Sequence, residues 1–369
     1  MKNVSAAAVD DERAALHVFH RGRFTRESLA EPDDSRRKEQ GNGAPCHSGA
    51  RQLSFRAVPT SPDPDPLRNP SLRPWKVLAA IAAGCLLAVQ PARAAKEEPV
   101  TVGGIDAVMW SSSQAIVGAQ PLVVFSHAMH MCPTQSRYLM RALADAGYLV
   151  VAPRHADSNC RLSIPDLSRQ GFKPSLFWSD DDFRDRADDV RRIVAALPND
   201  VRFRDRVDVS RLALVGHSLG GYTVLGLGGA WPSWKLDGVR AILAFTPYSL
   251  PFQRSEGLRK LGAPVMYQTG TLDQVFTLPL NVSGYDQSPA PKYFVEFTTA
   301  AHLAWTDLWL GGHDEIVDYT LAFFDHYVRG GPASATLRTK LPGVFTFRSA
   351  ESAVRNASVS RPFDSTADQ

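Results

Sequence analysis

Ten consecutive residues, Leu212-Ala213-Leu214-Val215-Gly216-His217-Ser218-Leu219-Gly220-Gly221, carry an unbroken apolar run into a glycine-flanked serine. Four apolar residues without alternation read as a strand buried on both faces. The small-residue stretch from Gly220 to Leu227 reads as a helix. Between them lies G-x-S-x-G, placed where a strand must turn sharply into a helix. Such a turn strains the serine backbone and leaves no room for side chains on its flanks, a conflict that Gly216 and Gly220 remove. The hydroxyl of Ser218 then stands clear of the sheet at the amino end of a helix, where developing negative charge is favoured. The plainer alternative is a structural serine in an ordinary turn.

Outward from this stretch the chain alternates between strand and helix. Short opening strands are expected at Ile105 to Trp110 and Ala115 to Gly118, then a buried strand at Leu122 to Phe125. Thr134 can cap a helix that carries Tyr138, Leu139, Leu143 and Ala144. A strand follows at Tyr148 to Ala152, then a polar loop holding Pro165, Gly171 and Pro174, then a helical repeat from Asp181 to Leu197. Further strands are expected at Ala241 to Phe245, Pro264 to Tyr267 and Tyr293 to Phe297, and a closing helix at Glu315 to Val328. The segment with Gly330-Gly331-Pro332 is expected to wrap the surface or fray. This order predicts a mostly parallel twisted sheet of about eight strands with helices on both faces. Right-handed crossovers bring the strand carboxyl ends to one edge, where ligands bind. No composition break divides residues 99–330, residues 95–350 read as one domain, and no long insertion suggests a large lid.

A serine hydroxyl needs a base, and the base needs an orienting acid. Asp273, in Gly270-Thr271-Leu272-Asp273, follows the strand Pro264 to Tyr267 and shares an edge with Ser218. Asp307 is the reserve acid, and a surface turn is the other reading of Asp273. His302 follows the strand Tyr293 to Phe297; His313 and His326 fall on the last loop and helix, where packing or solvated histidines are expected. Two backbone donors must meet the oxyanion. Leu219 N–H supplies one, and Met129 N–H, with Ala128 next in line, supplies the other from the loop Ser126-His127-Ala128-Met129. His127, His130 and His155 raise the question of zinc, but no helical i, i+4 pair and no carboxylate at metal-site spacing supports it. No metal is expected.

The chain has 369 residues, a formal net charge of +3 and 44% hydrophobic residues, which gives no reason to expect a nucleic-acid partner. Residues 1–70 are polar and proline-rich, without apolar periodicity, and read as a disordered extension or a mis-assigned start. Residues 71–94 have the layout of a secretory signal: Arg73 and Lys76, an apolar run from Val77 to Val89, and Ala92-Arg93-Ala94. Cleavage is expected after Ala94, giving a periplasmic or secreted protein without stable membrane insertion; a cytoplasmic extension with a short buried helix is the alternative. A lipoprotein reading of Cys85 lacks the required leucine. With Cys46 in the extension, Cys132 and Cys160 remain as a pair suited to an oxidising compartment, bonded or as two free thiols. Residues 351–369 read as a flexible tail.

Residues 99–330 resemble the α/β-hydrolases grouped as dienelactone-hydrolase-like and platelet-activating-factor-acetylhydrolase-like. The matching pieces are Ser126-His127, Thr134-Gln135-Ser136, Ala146-Gly147-Tyr148, Ala152-Pro153-Arg154-His155, Arg186 to Asp189, Gly216 to Gly221, Gly270 to Asp273, and His302 with Thr306-Asp307. The family has glycine after Ser-His where this chain has Ala128, and a positive φ there would cost about 1 kcal/mol. The resemblance implies hydrolysis of small-molecule esters by Ser218, Asp273 and His302 without cofactor. A polyester or cutin-like substrate, or an amide, is the alternative, with Tyr138, Trp178 and Trp305 as an aromatic platform. A non-catalytic binding module of the same fold is the reading from another class. The acyl group, the alcohol and the oligomeric state are not legible.

Overall fold

The computed structural model describes residues 95–160 and 178–351. The expected leader at 71–94 and its expected cleavage after Ala94, residues 1–70, Cys46, Cys85, residues 165–174 and the residues beyond 351 lie outside the described residues. Among the described residues, no helix is long and apolar enough to cross a membrane.

The elements are β1 (Lys96–Val102), β2 (Ile105–Ser111), β3 (Gln120–Ser126), α1 (Arg137–Asp145), β4 (Leu149–Pro153), α2 (Arg184–Ala196), β5 (Val207–His217), α3 (Leu219–Leu225), β6 (Val239–Phe245), α4 (Leu250–Arg254), β7 (Val265–Gly270), α5 (Leu278–Gln287), β8 (Lys292–Phe297), α6 (His313–Tyr327) and β9 (Val344–Ala350). They form one sheet in the order β1-β2-β4-β3-β5-β6-β7-β8-β9. Strands β4, β3, β5, β6, β7 and β8 are mutually parallel, and β1, β2 and β9 are added antiparallel at the two sides. This is the α/β-hydrolase fold.

The strands alternate between two cores, as a pleated sheet covered on both faces must. Leu122, Val124, Leu212, Leu214, Ile242 and Tyr267 pack with Val190 and Ile193 of α2 and Leu225 of α3. Val123, Phe125, Ala213, Val215, Leu243 and Met266 pack with Leu139 and Leu143 of α1 and Phe323 and Phe324 of α6. Each fully buried aliphatic side chain contributes about 1.5–3 kcal/mol of transfer free energy. This is why strand runs without alternation survive at the centre of the sheet.

Four expectations change. Residues 115–118 are loop, and the second opening strand is instead Lys96–Val102, whose half-exposed burial pattern hides its periodicity. The sheet has nine strands because Val344–Ala350 pairs antiparallel with β8, where a wrapping or frayed segment was expected. Helix α5, between β7 and β8, carries no clear apolar stripe. Thr134 does not cap α1. The helix begins at Arg137, and its first N–H groups, from Arg137 and Tyr138, donate to the two carboxylate oxygens of Asp307 at 3.1 Å each.

Candidate active site

The parallel strands end along one edge, and each contributes one piece. At the end of β5, Ser218 adopts φ 58° and ψ −116°, a left-handed conformation rarely seen outside glycine. The turn is tight because a side chain at position 216 would strike the carbonyl of Gly220. One at position 220 would strike the carbonyl of Ser126, at the end of β3. The Ser218 N–H donates to Phe245 O at 2.9 Å, which fastens the turn to the end of β6. Ser218 is 7% exposed.

Asp273 follows β7 and His302 follows β8. His302 Nδ1 lies 2.9 Å from Asp273 Oδ2. With that carboxylate as acceptor, the histidine carries its proton on Nδ1 and leaves Nε2 as the basic nitrogen. Asp273 Oδ1 accepts the N–H groups of Val275 and Phe276 at 2.9 and 3.0 Å. Thr246, just past β6, donates its hydroxyl to Asp273 Oδ2 at 2.5 Å and lies 3.0 Å from His302 Nδ1. Burial pushes the Asp273 pKa up, but the bonds from His302, Thr246 and Phe276 outweigh it and hold the carboxyl below its usual range. The carboxylate is therefore ionised beside the imidazole at neutral pH.

His217, the residue before Ser218, ties the elbow to the histidine loop. Its Nε2 donates to His302 O at 2.8 Å, and its Nδ1 accepts from Gln135 Nε2 at 2.9 Å. Burial and the neighbouring His302 push its pKa down to about 3, so it is a neutral strut. Gln135 is the other half of that strut, because its Oε1 accepts Ala128 N–H at 2.9 Å.

The occupancy of amides in this loop separates the two oxyanion candidates. Ala128 N–H is bonded to Gln135, and His130 N–H donates to Asp157 Oδ2 at 3.1 Å. Among the described residues, Met129 N–H has no acceptor, and Leu219 N–H opens α3, where no earlier turn supplies one. The left-handed residue of the loop is His130, at φ 55°, so Ala128 escapes the strain its replacement of glycine raised.

The other singled-out residues fall elsewhere. Asp307 is occupied as the cap of α1. His313 stacks on Tyr138 at 3.6 Å between centroids, and His326 Nδ1 bonds Gly331 O. Tyr138, Trp178 and Trp305 do not form one platform: Trp305 is fully buried in the α1–α6 core, whereas Trp178 packs against the core on the opposite face. A different row of rings approaches the site. His302 meets Phe276 at 5.2 Å, Phe276 meets Tyr248 at 5.1 Å, and Tyr248 meets Trp178 at 5.1 Å. Cys132 and Cys160 are joined by a disulfide with an S–S distance of 2.06 Å.

His127 and His155 belong to a second buried network. Among the described residues, no group of three or more metal-type side chains is placed to hold an ion. His155 Nε2 lies 3.0 Å from Ser126 Oγ, and its Nδ1 lies 2.9 Å from Asp189 Oδ2. Burial and the Arg186 guanidinium push both histidines well below the usual range.

Ser126, Gln135, His155 and His217 stand in short motif pieces, though their contacts are not legible there. Thr246 and Asp157 gave no sequence signal, because each acts through a contact that only the folded sheet creates.

No family model matches the chain. Over 170 residues it is 27% identical to Cutinase est2 of Thermobifida alba, which covers 45% of this chain and 47% of that protein. The chain thus spans about half the length of this curated relative. Taken with the nine-stranded sheet, the similarity points to the α/β-hydrolase superfamily and supports a serine ester hydrolase at that level.

Proposed function

We propose that this protein cleaves carboxylic esters through an acyl-enzyme on Ser218. The observation that carries the reading is the 2.9 Å Asp273–His302 contact at the same strand-end edge as the strained Ser218 turn. The His302 carbonyl, moreover, is bonded to the residue next to that serine. In this reading Ser218 Oγ attacks the ester carbonyl while His302 Nε2 takes its proton, and Asp273 balances the imidazolium. Met129 and Leu219 N–H groups stabilise the tetrahedral oxyanion. His302 then protonates the leaving alcohol, and water activated by the same nitrogen releases the acid. The substrate class expected from the dienelactone-hydrolase-like resemblance is a small ester.

A polyester is the second reading, favoured by the partial similarity to a protein named a cutinase. The exposed Leu272 and Leu303, beside Asp273 and His302, would give an apolar chain something to lie on. Export is part of the proposal, since a Cys132–Cys160 bond suits an oxidising compartment. Hydrolysis of p-nitrophenyl esters of increasing chain length tests the substrate class. Turnover that is lost in Ser218→Ala supports the acyl-enzyme, and full turnover in that variant refutes it.

A further inference from the structure

The loop that carries Met129 is held from beneath by a buried ion pair on other elements. Arg186, in the first turn of α2, has no exposed side-chain surface, and Asp157 exposes 4% of its own. Arg186 Nε and Nη2 each lie 3.0 Å from an Asp157 oxygen. The guanidinium also donates Nη1 to His127 O at 2.8 Å and Nη2 to Ala128 O at 3.4 Å. Asp157 in turn accepts His130 N–H. The pair therefore grips the backbone on both sides of Met129 without bonding its N–H. A buried pair of this kind is costly to desolvate, and its replacement by apolar residues is often neutral for stability. Stability alone does not explain it here.

We propose that Arg186 and Asp157 are positioning residues for the reaction, holding residues 127–130 so that Met129 N–H is left unpaired for the oxyanion. This rests on the Ser218 reading. Neither residue meets the reacting atoms; both act through the loop backbone. The planar guanidinium serves both carbonyls and the carboxylate at once, which a lysine ammonium on a single stem does not.

The test compares wild type, Arg186→Lys, Asp157→Asn, and the double variant Arg186→Met/Asp157→Leu, which leaves no uncompensated buried charge if the single variants fail to fold. Each is assayed with p-nitrophenyl acetate and with a trifluoromethyl ketone, whose serine adduct places an oxyanion where the intermediate would. Loss of one oxyanion donor costs about 10²–10³ in kcat. Folded variants are expected to lose about 30- to 300-fold in kcat with KM within about threefold, and to bind the ketone more weakly by a similar factor. A folded double variant with wild-type kcat and ketone affinity overturns the proposal. So does a loss confined to KM with ketone affinity unchanged. Ser218→Ala is run alongside: if it is inactive while the double variant is normal, only the positioning role fails, and if it is active, the underlying reading fails with it.

Discussion

Two sets of serine, histidine and aspartate lie at one edge of the same sheet, and they differ in everything except residue type. In the first, Ser218 sits in a left-handed turn, His302 keeps 15% of its side chain exposed, and Asp273 is fully covered. In the second, Ser126 and His155 are sealed from solvent, and Arg186 Nη1 lies 3.4 Å from the Ser126 hydroxyl. The second set even has the 3.0 Å serine–histidine hydrogen bond expected of a working pair. On the proposed reading, hydrogen-bond geometry alone does not make a nucleophile. Burial and the Arg186 guanidinium keep His155 from accepting a proton, and the same burial excludes substrate. The first set has access, an ionised acid and two spare N–H groups.

Removing each serine in turn gives the largest expected difference. Ser218→Ala should lower kcat by about 10³-fold or more, as removal of a nucleophile does, with little change in Tm. Ser126→Ala should cost less than about tenfold in kcat and instead lower stability by about 1–3 kcal/mol, because His155 Nε2 loses its buried partner. Equal effects on turnover would erase the distinction. The aspartates follow with a smaller contrast. Asp273→Asn is expected to reduce kcat by about 10²- to 10⁴-fold through loss of the tautomer that leaves Nε2 basic. Asp189→Asn should change kcat by less than about tenfold, the scale of one hydrogen bond.

The smallest effect is one of sign. Burial lifts Asp189 to about 6, so between the ordinary carboxyl value of about 4 and that pH the folded chain holds a proton the unfolded chain has lost. Its contribution to stability therefore falls as pH rises through that window. Asp273 is held below the ordinary value, so its contribution is present above about pH 4 and is lost as pH falls through its folded pKa. Thermal melts from pH 3 to 8 should show Asp189→Asn gaining on wild type as pH rises from about 4 to 7. Asp273→Asn should lose ground to wild type as pH rises from about 3 to 5. Slopes of the same sign would contradict the two environments described.

The sequence carried the sheet well where strands are buried on both faces, since Leu122–Phe125, Leu212–Val215 and Ala241–Phe245 admit few other readings. It carried β1 and β9 poorly, because edge strands expose alternate residues and their apolar content is low. Helix α5 was hidden for a related reason: its sequence, Leu-Pro-Leu-Asn-Val-Ser-Gly-Tyr-Asp-Gln, has no single apolar stripe. The strand-end placement of Ser218, Asp273 and His302 was readable because each follows a strand that was itself readable. Their supports were not. Gln135 reaches 82 positions along the chain to His217, and Arg186 reaches 59 to His127. Asp307 reads as an acid in reserve, yet its carboxylate holds the start of α1.

Reaction of the folded protein with a fluorophosphonate, followed by peptide mapping, weighs the two serines against each other in one tube. The account predicts a single adduct on Ser218, formed in wild type and lost in His302→Ala, with Ser126 unmodified. An adduct on Ser126, or a folded protein that takes none at Ser218, would contradict it.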